Sequence, residues 1–69
     1  MALANTLAEL RKKAKLTQSE LGAKLSISAQ AISKWENGTS EPDIATLKKL
    51  ADIYGVSVSY IIDNENVNK

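Results

Sequence analysis

Between Thr17 and Gly38 the chain carries two helix starts and one helix stop, in a space that admits only two short helices and a tight turn. Thr17 is a good N-cap, and Glu20, three residues on, is placed to reach back and complete a capping box. Leu21 and Leu25 then recur at helical spacing. Ser28 is a second N-cap, and Asn37-Gly38 ends the second helix, because glycine tolerates the left-handed conformation that closes one. Only Ser26 and Ile27 are left for the turn.

Before this pair, Leu3, Leu7, Leu10 and Ala14 follow the three-and-four spacing of an amphipathic helix, with Lys12, Lys13 and Lys15 off the stripe. Thr6 with Glu9 forms a second capping-box pattern, so two starts are open for this helix: one at Thr6, and an earlier one that includes Leu3. Arg11 lies on the apolar side, where an unpaired charge is costly to bury, and so requires a carboxylate. In the helix after Ser28, a rotation of about 100° per residue puts Ala29, Gln30, Ser33, Lys34 and Asn37 on one side and Ile32 and Trp35 on the other. Glu36 falls at the edge of the apolar side, which makes it the expected partner of Arg11.

Past Gly38, Pro42 blocks helix continuation and Asp43 caps the next helix, whose stripe is Ile44, Leu47, Leu50, Ala51 and Tyr54 and whose stop is Gly55. Val56 is expected to be buried in the link. Ser57 caps a last short helix in which Val58, Ile61 and Ile62 close the core. The sequence after Ile62 has too little apolar content to pack. The expectation is an all-α domain of five short helices over residues 1–63 and a short flexible tail at 64–69.

A single domain of 69 residues buries only roughly 60% of its unfolded surface, which leaves little room for an enzyme pocket. There is no cysteine and no histidine. That removes disulfides, the usual thiol nucleophile, the commonest general base and the commonest metal ligands. The carboxylates are scattered and no glycine-rich phosphate cradle is present. No enzymatic activity, cofactor or metal is expected. No apolar run approaches the length of a membrane span, and no signal-peptide pattern precedes the first helix, so a soluble, cytoplasmic protein is expected.

The net charge of +1 is unevenly spread. Up to Ser40, six basic residues (Arg11, Lys12, Lys13, Lys15, Lys24 and Lys34) stand against three acidic ones, whereas three stand against five beyond it. The first half therefore suits a polyanion, although a run such as Arg11 to Lys15 also fits an ordinary solvated helix face. The polar side of the third helix has the same two readings: a solvated face, or a surface that reads something flat and polar.

Leu-Thr-Gln-Ser-Glu-Leu at the start of the helix pair, Ile-Ser-Lys-Trp-Glu-Asn-Gly at its end and Leu-Ala-Asp-Ile-Tyr-Gly-Val-Ser after the fourth helix together resemble the Cro/C1-type (XRE) helix-turn-helix family. The likeness runs from about residue 3 to residue 62. It implies a lambda-repressor-like DNA-binding domain whose helix-turn-helix is formed by helices 2 and 3. By this resemblance Ser28, Ala29, Gln30, Ser33 and Lys34 face the bases of the major groove. Gln18, Asn37, Thr39 and Ser40 meet phosphates, the loop through side chains and backbone amides. The family also pairs a first-helix arginine with the glutamate of the Glu-Asn-Gly segment, here Arg11 with Glu36. Groove chemistry suits these residues, since Gln30 can hydrogen-bond adenine twice, Lys34 can donate to guanine or a phosphate, and the Ala29 methyl can touch a thymine methyl.

Departures from the family pattern are Gly22, where alanine is usual, Ser26, a turn position where glycine is usual, and the acids Glu41 and Asp43 beside a phosphate-facing loop. The resemblance implies a sequence-specific transcriptional regulator, a repressor binding double-stranded DNA as a homodimer on a palindromic operator, with the last helix from Ser57 to Ile62 as dimer surface. The alternatives are an antitoxin-type autoregulator, and a helix-turn-helix fold used as a protein-interaction module.

Overall fold

A computed structural model describes residues 2–63 and is entirely helical over them: α1 Ala2–Lys13, α2 Gln18–Leu25, α3 Ala29–Glu36, α4 Ile44–Tyr54 and α5 Val58–Asp63. The tail expected at 64–69 lies outside the described residues.

The starts of α2 to α5 are set by local hydrogen bonds. Thr17 Oγ1 accepts from the Glu20 amide at 3.0 Å while Glu20 Oε1 accepts from the Thr17 amide at 2.8 Å, so the capping box is complete. Ser28, Asp43 and Ser57 each accept from the amide three residues on, at 3.2, 2.9 and 2.9 Å. These bonds satisfy amides that a helix leaves without partners in its first turn. The start at Thr6 does not occur: α1 begins at Ala2, and Thr6 is buried inside it.

The stops of α1 to α4 share one geometry, in which a residue of positive φ lets the next amide fold back on the helix. Lys15 (φ 62°) lets Leu16 donate to the Arg11 carbonyl, and Ser26 (φ 61°) lets Ile27 donate to that of Gly22. Gly38 (φ 83°) lets Thr39 donate to the Lys34 carbonyl, and Gly55 (φ 70°) lets Val56 donate to that of Ala51.

One core unites the five helices, made of Leu7 and Leu10 of α1, Leu21 and Leu25 of α2, Ile32 and Trp35 of α3, Leu47, Leu50 and Ala51 of α4, and Ile61 of α5. α3 packs against both α1 and α2, so its position is fixed from two sides. Gly22 makes the α2–α3 turn possible, since a Cβ there would lie 2.7 Å from the Ile27 carbonyl oxygen.

The apolar stripes overreach at helix ends. Ala14 is exposed just beyond α1, and Val56 is only half-buried in the α4–α5 link. Ile44, the first residue of α4, is 59% exposed and Ile62, near the end of α5, is 41% exposed. With Leu3 and Pro42 these isoleucines line a shallow groove instead of closing the core, because such short helices run out of neighbours at their ends. Among the described residues no helix is long and apolar enough to cross a membrane, and no group of three acidic, histidine or cysteine residues is placed to hold a metal ion.

Candidate nucleic-acid interface

The residues expected to face bases are carried by α3 and its cap. Burial of Ile32 and Trp35 orients this helix. Ser28, Gln30 and Lys34 are exposed, while Ala29 and Ser33 are half-buried on the same side. Ser28 Oγ accepts from the Ala31 amide, so its hydroxyl proton and one lone pair remain for a ligand.

Behind α3 lies a polar network that ties three elements together. Arg11 Nε donates to Glu36 Oε2 at 2.7 Å and Arg11 Nη2 donates to Glu36 Oε1 at 3.0 Å, a two-pronged pair. Arg11 Nη1 donates to the Leu16 carbonyl at 2.8 Å, and Gln18 Nε2 donates to Glu36 Oε1 at 3.1 Å. The Arg11 and Glu36 side chains are only 13% and 8% exposed. Burial raises the cost of ionising Glu36, but the hydrogen bonds from Arg11 and Gln18 outweigh it and hold the carboxyl below its ordinary range. The same hydrogen bond to Glu36, opposed by burial, holds Arg11 more firmly protonated than usual. The Tyr54 hydroxyl is buried nearby without a hydrogen-bond partner among the described residues, and burial, reinforced by the Glu36 charge, pushes it up to about 12.

The Gln18 bond to Glu36 leaves no trace in the local sequence, because the two residues meet only once α2 and α3 have packed. One Gln18 amide proton remains for a phosphate, and the arrangement fixes where that proton points.

The loop after α3 is also more engaged than its sequence suggests. The Thr39 and Ser40 amides, which the family likeness assigns to phosphates, donate to the Lys34 carbonyl at 2.9 and 3.2 Å. Asn37 Oδ1 accepts from both the amide and the hydroxyl of Thr39. Of the residues assigned to phosphates in this loop, Asn37 keeps its side-chain amide protons and Ser40 its hydroxyl as donors, with Asn37 held by Thr39.

On the other flank, Lys12, Lys15, Gln18, Ser19 and Ala29 line a shallow hollow beside the start of α3. The backbone amides of Gln18 and Ser19 open α2 there and, among the described residues, have no acceptor. Polar donors and cations thus border the exposed side of α3 at both ends.

A helix-turn-helix family model matches residues 7–61. The HTH-type transcriptional regulator ImmR of Bacillus subtilis (strain 168) is 39% identical over 69 residues, all of this chain and 54% of that protein. The uncharacterised regulator YqaE of the same organism is 38% identical over 91% of this chain and 54% of its own length, and the transcriptional activator BcrR of Enterococcus faecalis is 34% identical over 88% of this chain and 30% of its own. The chain therefore spans about half or less of these relatives. Among solved structures, the P22 c2 repressor in complex with a synthetic operator superposes with a TM-score of 0.81 at 31% identity, covering 88% of this chain and 92% of that one. With its five helices, its α2–α3 turn and these likenesses in agreement, the chain belongs to the Cro/C1-type (XRE) helix-turn-helix family.

Proposed function

We propose that this chain is the DNA-binding domain of a cytoplasmic transcriptional regulator, a repressor that places α3 in the major groove of a palindromic operator. The observation that carries the reading is the exposed side of α3: Gln30 and Lys34 stand free on a helix fixed from behind by Ile32, Trp35 and the Glu36 network. A helix of this width fits the major groove, and its N-terminal residues meet base edges there. The likeness to a repressor whose structure holds an operator supports the same docking. Ser28, Ala29, Gln30, Ser33 and Lys34 then read bases, and Gln18, Asn37, Thr39 and Ser40 lie against phosphates, with the side chains of Asn37 and Ser40 as the loop's donors.

Binding as a homodimer, at least on DNA, completes the proposal. The end of α5 supports it, because Ile62 is exposed there and shares an apolar groove with Ile44. Two copies would then present α3 at half-sites about 34 Å apart, one turn of the duplex.

Selection of random duplex DNA by the purified protein at physiological salt tests this. The expected result is an enriched palindrome with half-sites about 10 base pairs apart. Gln30→Ala should relax the preference at one position of each half-site, by about 1–3 kcal/mol of discrimination. No enrichment, together with binding indifferent to salt, would instead favour a protein-interaction module.

A further inference from the structure

We infer that Lys15 is an additional DNA-backbone anchor, a lysine standing at a left-handed helix end where glycine would be less strained. This rests on the DNA-binding reading above. Lys15 closes α1 with φ 62°, a conformation costly for any residue with a Cβ. It is exposed and, among the described residues, its side chain has no hydrogen-bond or ion-pair partner. No contact among the described residues accounts for a lysine there.

Its surroundings do point to a partner. Lys15 lines the same hollow as Lys12, Gln18 and Ala29. Ala29 lies at the start of the reading helix and Gln18 is a proposed phosphate contact, so a duplex that takes α3 into its groove carries one sugar-phosphate strand across this hollow. Lys12 has a second role, since its charge helps to keep Glu36 ionised. Lys15 has none, and its ammonium is left to neutralise a phosphate. Contacts of this kind fix register and carry no sequence information.

The test titrates the whole chain, as wild type, Lys15→Gly and Lys15→Arg, against a mixed-sequence duplex about three turns long between about 50 and 200 mM salt. Lys15→Gly is expected to bind more weakly and to flatten the plot of log affinity against log salt by about 0.9, one phosphate contact, so that its penalty is about 3.5-fold larger at the low-salt end. Lys15→Arg should keep the wild-type slope. Thermal melts should show Lys15→Gly raised by roughly 4 °C or more, because glycine relieves the left-handed strain. A Lys15→Gly slope equal to wild type, a loss in Lys15→Arg as large as in Lys15→Gly, or a lowered melting temperature in Lys15→Gly would overturn the inference while leaving DNA binding in place. Wild-type binding that ignores salt would overturn the DNA-binding reading itself, and this inference with it.

Discussion

Lys15 and Ser26 close α1 and α2 in the same left-handed conformation with which Gly38 and Gly55 close α3 and α4. The hydrogen bonds at the four ends are alike, from the residue after the reversal back to the carbonyl five residues earlier. The residues making the reversal are not. Glycine takes this conformation at little cost, whereas a residue with a Cβ gives up about 1 kcal/mol or more. The two strained closures come before and after α2, and the relaxed ones before and after α4. The first part of the fold therefore holds its turns by surrounding structure: the Arg11–Glu36–Gln18 network bridges α1, α2 and α3, and Gly22 seats the α2–α3 turn directly on the helix. The second part relies on glycine and apolar packing.

Breaking the network should expose this difference most strongly. Arg11→Ala leaves Glu36 nearly buried with Gln18 as its remaining hydrogen-bond partner among the described residues, and is expected to cost about 3 kcal/mol in urea denaturation. Acid titration adds a sign. Because the Glu36 carboxyl is held below the ordinary carboxylate range, its contribution is complete above that range and is lost as pH falls through the lowered folded-state value. This acid loss should shrink in Arg11→Ala, where burial is no longer outweighed; an unchanged acid limb would mean that Glu36 does not govern it.

Gly22→Ala should come next. A helix interior gains about 1 kcal/mol from alanine, but the new Cβ would press on the Ile27 carbonyl, and backbone overpacking costs about 1–3 kcal/mol. A net loss of about 1 kcal/mol is expected by chemical denaturation. In a Ser26→Gly background the loss should be smaller, since a glycine turn can shift to relieve the contact, and a double-mutant cycle reads that coupling. Strict additivity would show that the two positions are independent.

Exchanging the two kinds of closure tests the comparison itself. Ser26→Gly is expected to gain, and Gly55→Ala to lose, about 1 kcal/mol in thermal melts. A Cβ at Gly55 meets nothing within 4 Å, so that loss is purely conformational. Equal signs for both would end the division into strained and relaxed closures. The smallest effect belongs to Tyr54→Phe, which removes a buried hydroxyl that has no partner among the described residues and should gain up to about 1 kcal/mol. A loss would show that the hydroxyl is hydrogen-bonded in solution.

By itself the sequence determined whatever depends on neighbours along the chain. The capping residues Thr17, Ser28, Asp43 and Ser57, the stops at Gly38 and Gly55, and the apolar stripes that set the buried sides of α2 and α3 were all legible, because each involves groups within one or two helical turns. Arg11 and Glu36 could be matched for a related reason: each is a charge on or beside an apolar stripe, and burial leaves few partners open to either. Only the tertiary structure decided the rest. That α1 closes at Lys15 has no local signature, since no glycine or asparagine marks the place. That Gln18 donates to Glu36, that Thr39 and Ser40 turn their amides inward, and that Ile44 and Ile62 stay exposed depend on how five short helices meet at their ends. Periodicity assigns a side to every residue of a helix, but a side is buried only where another element covers it.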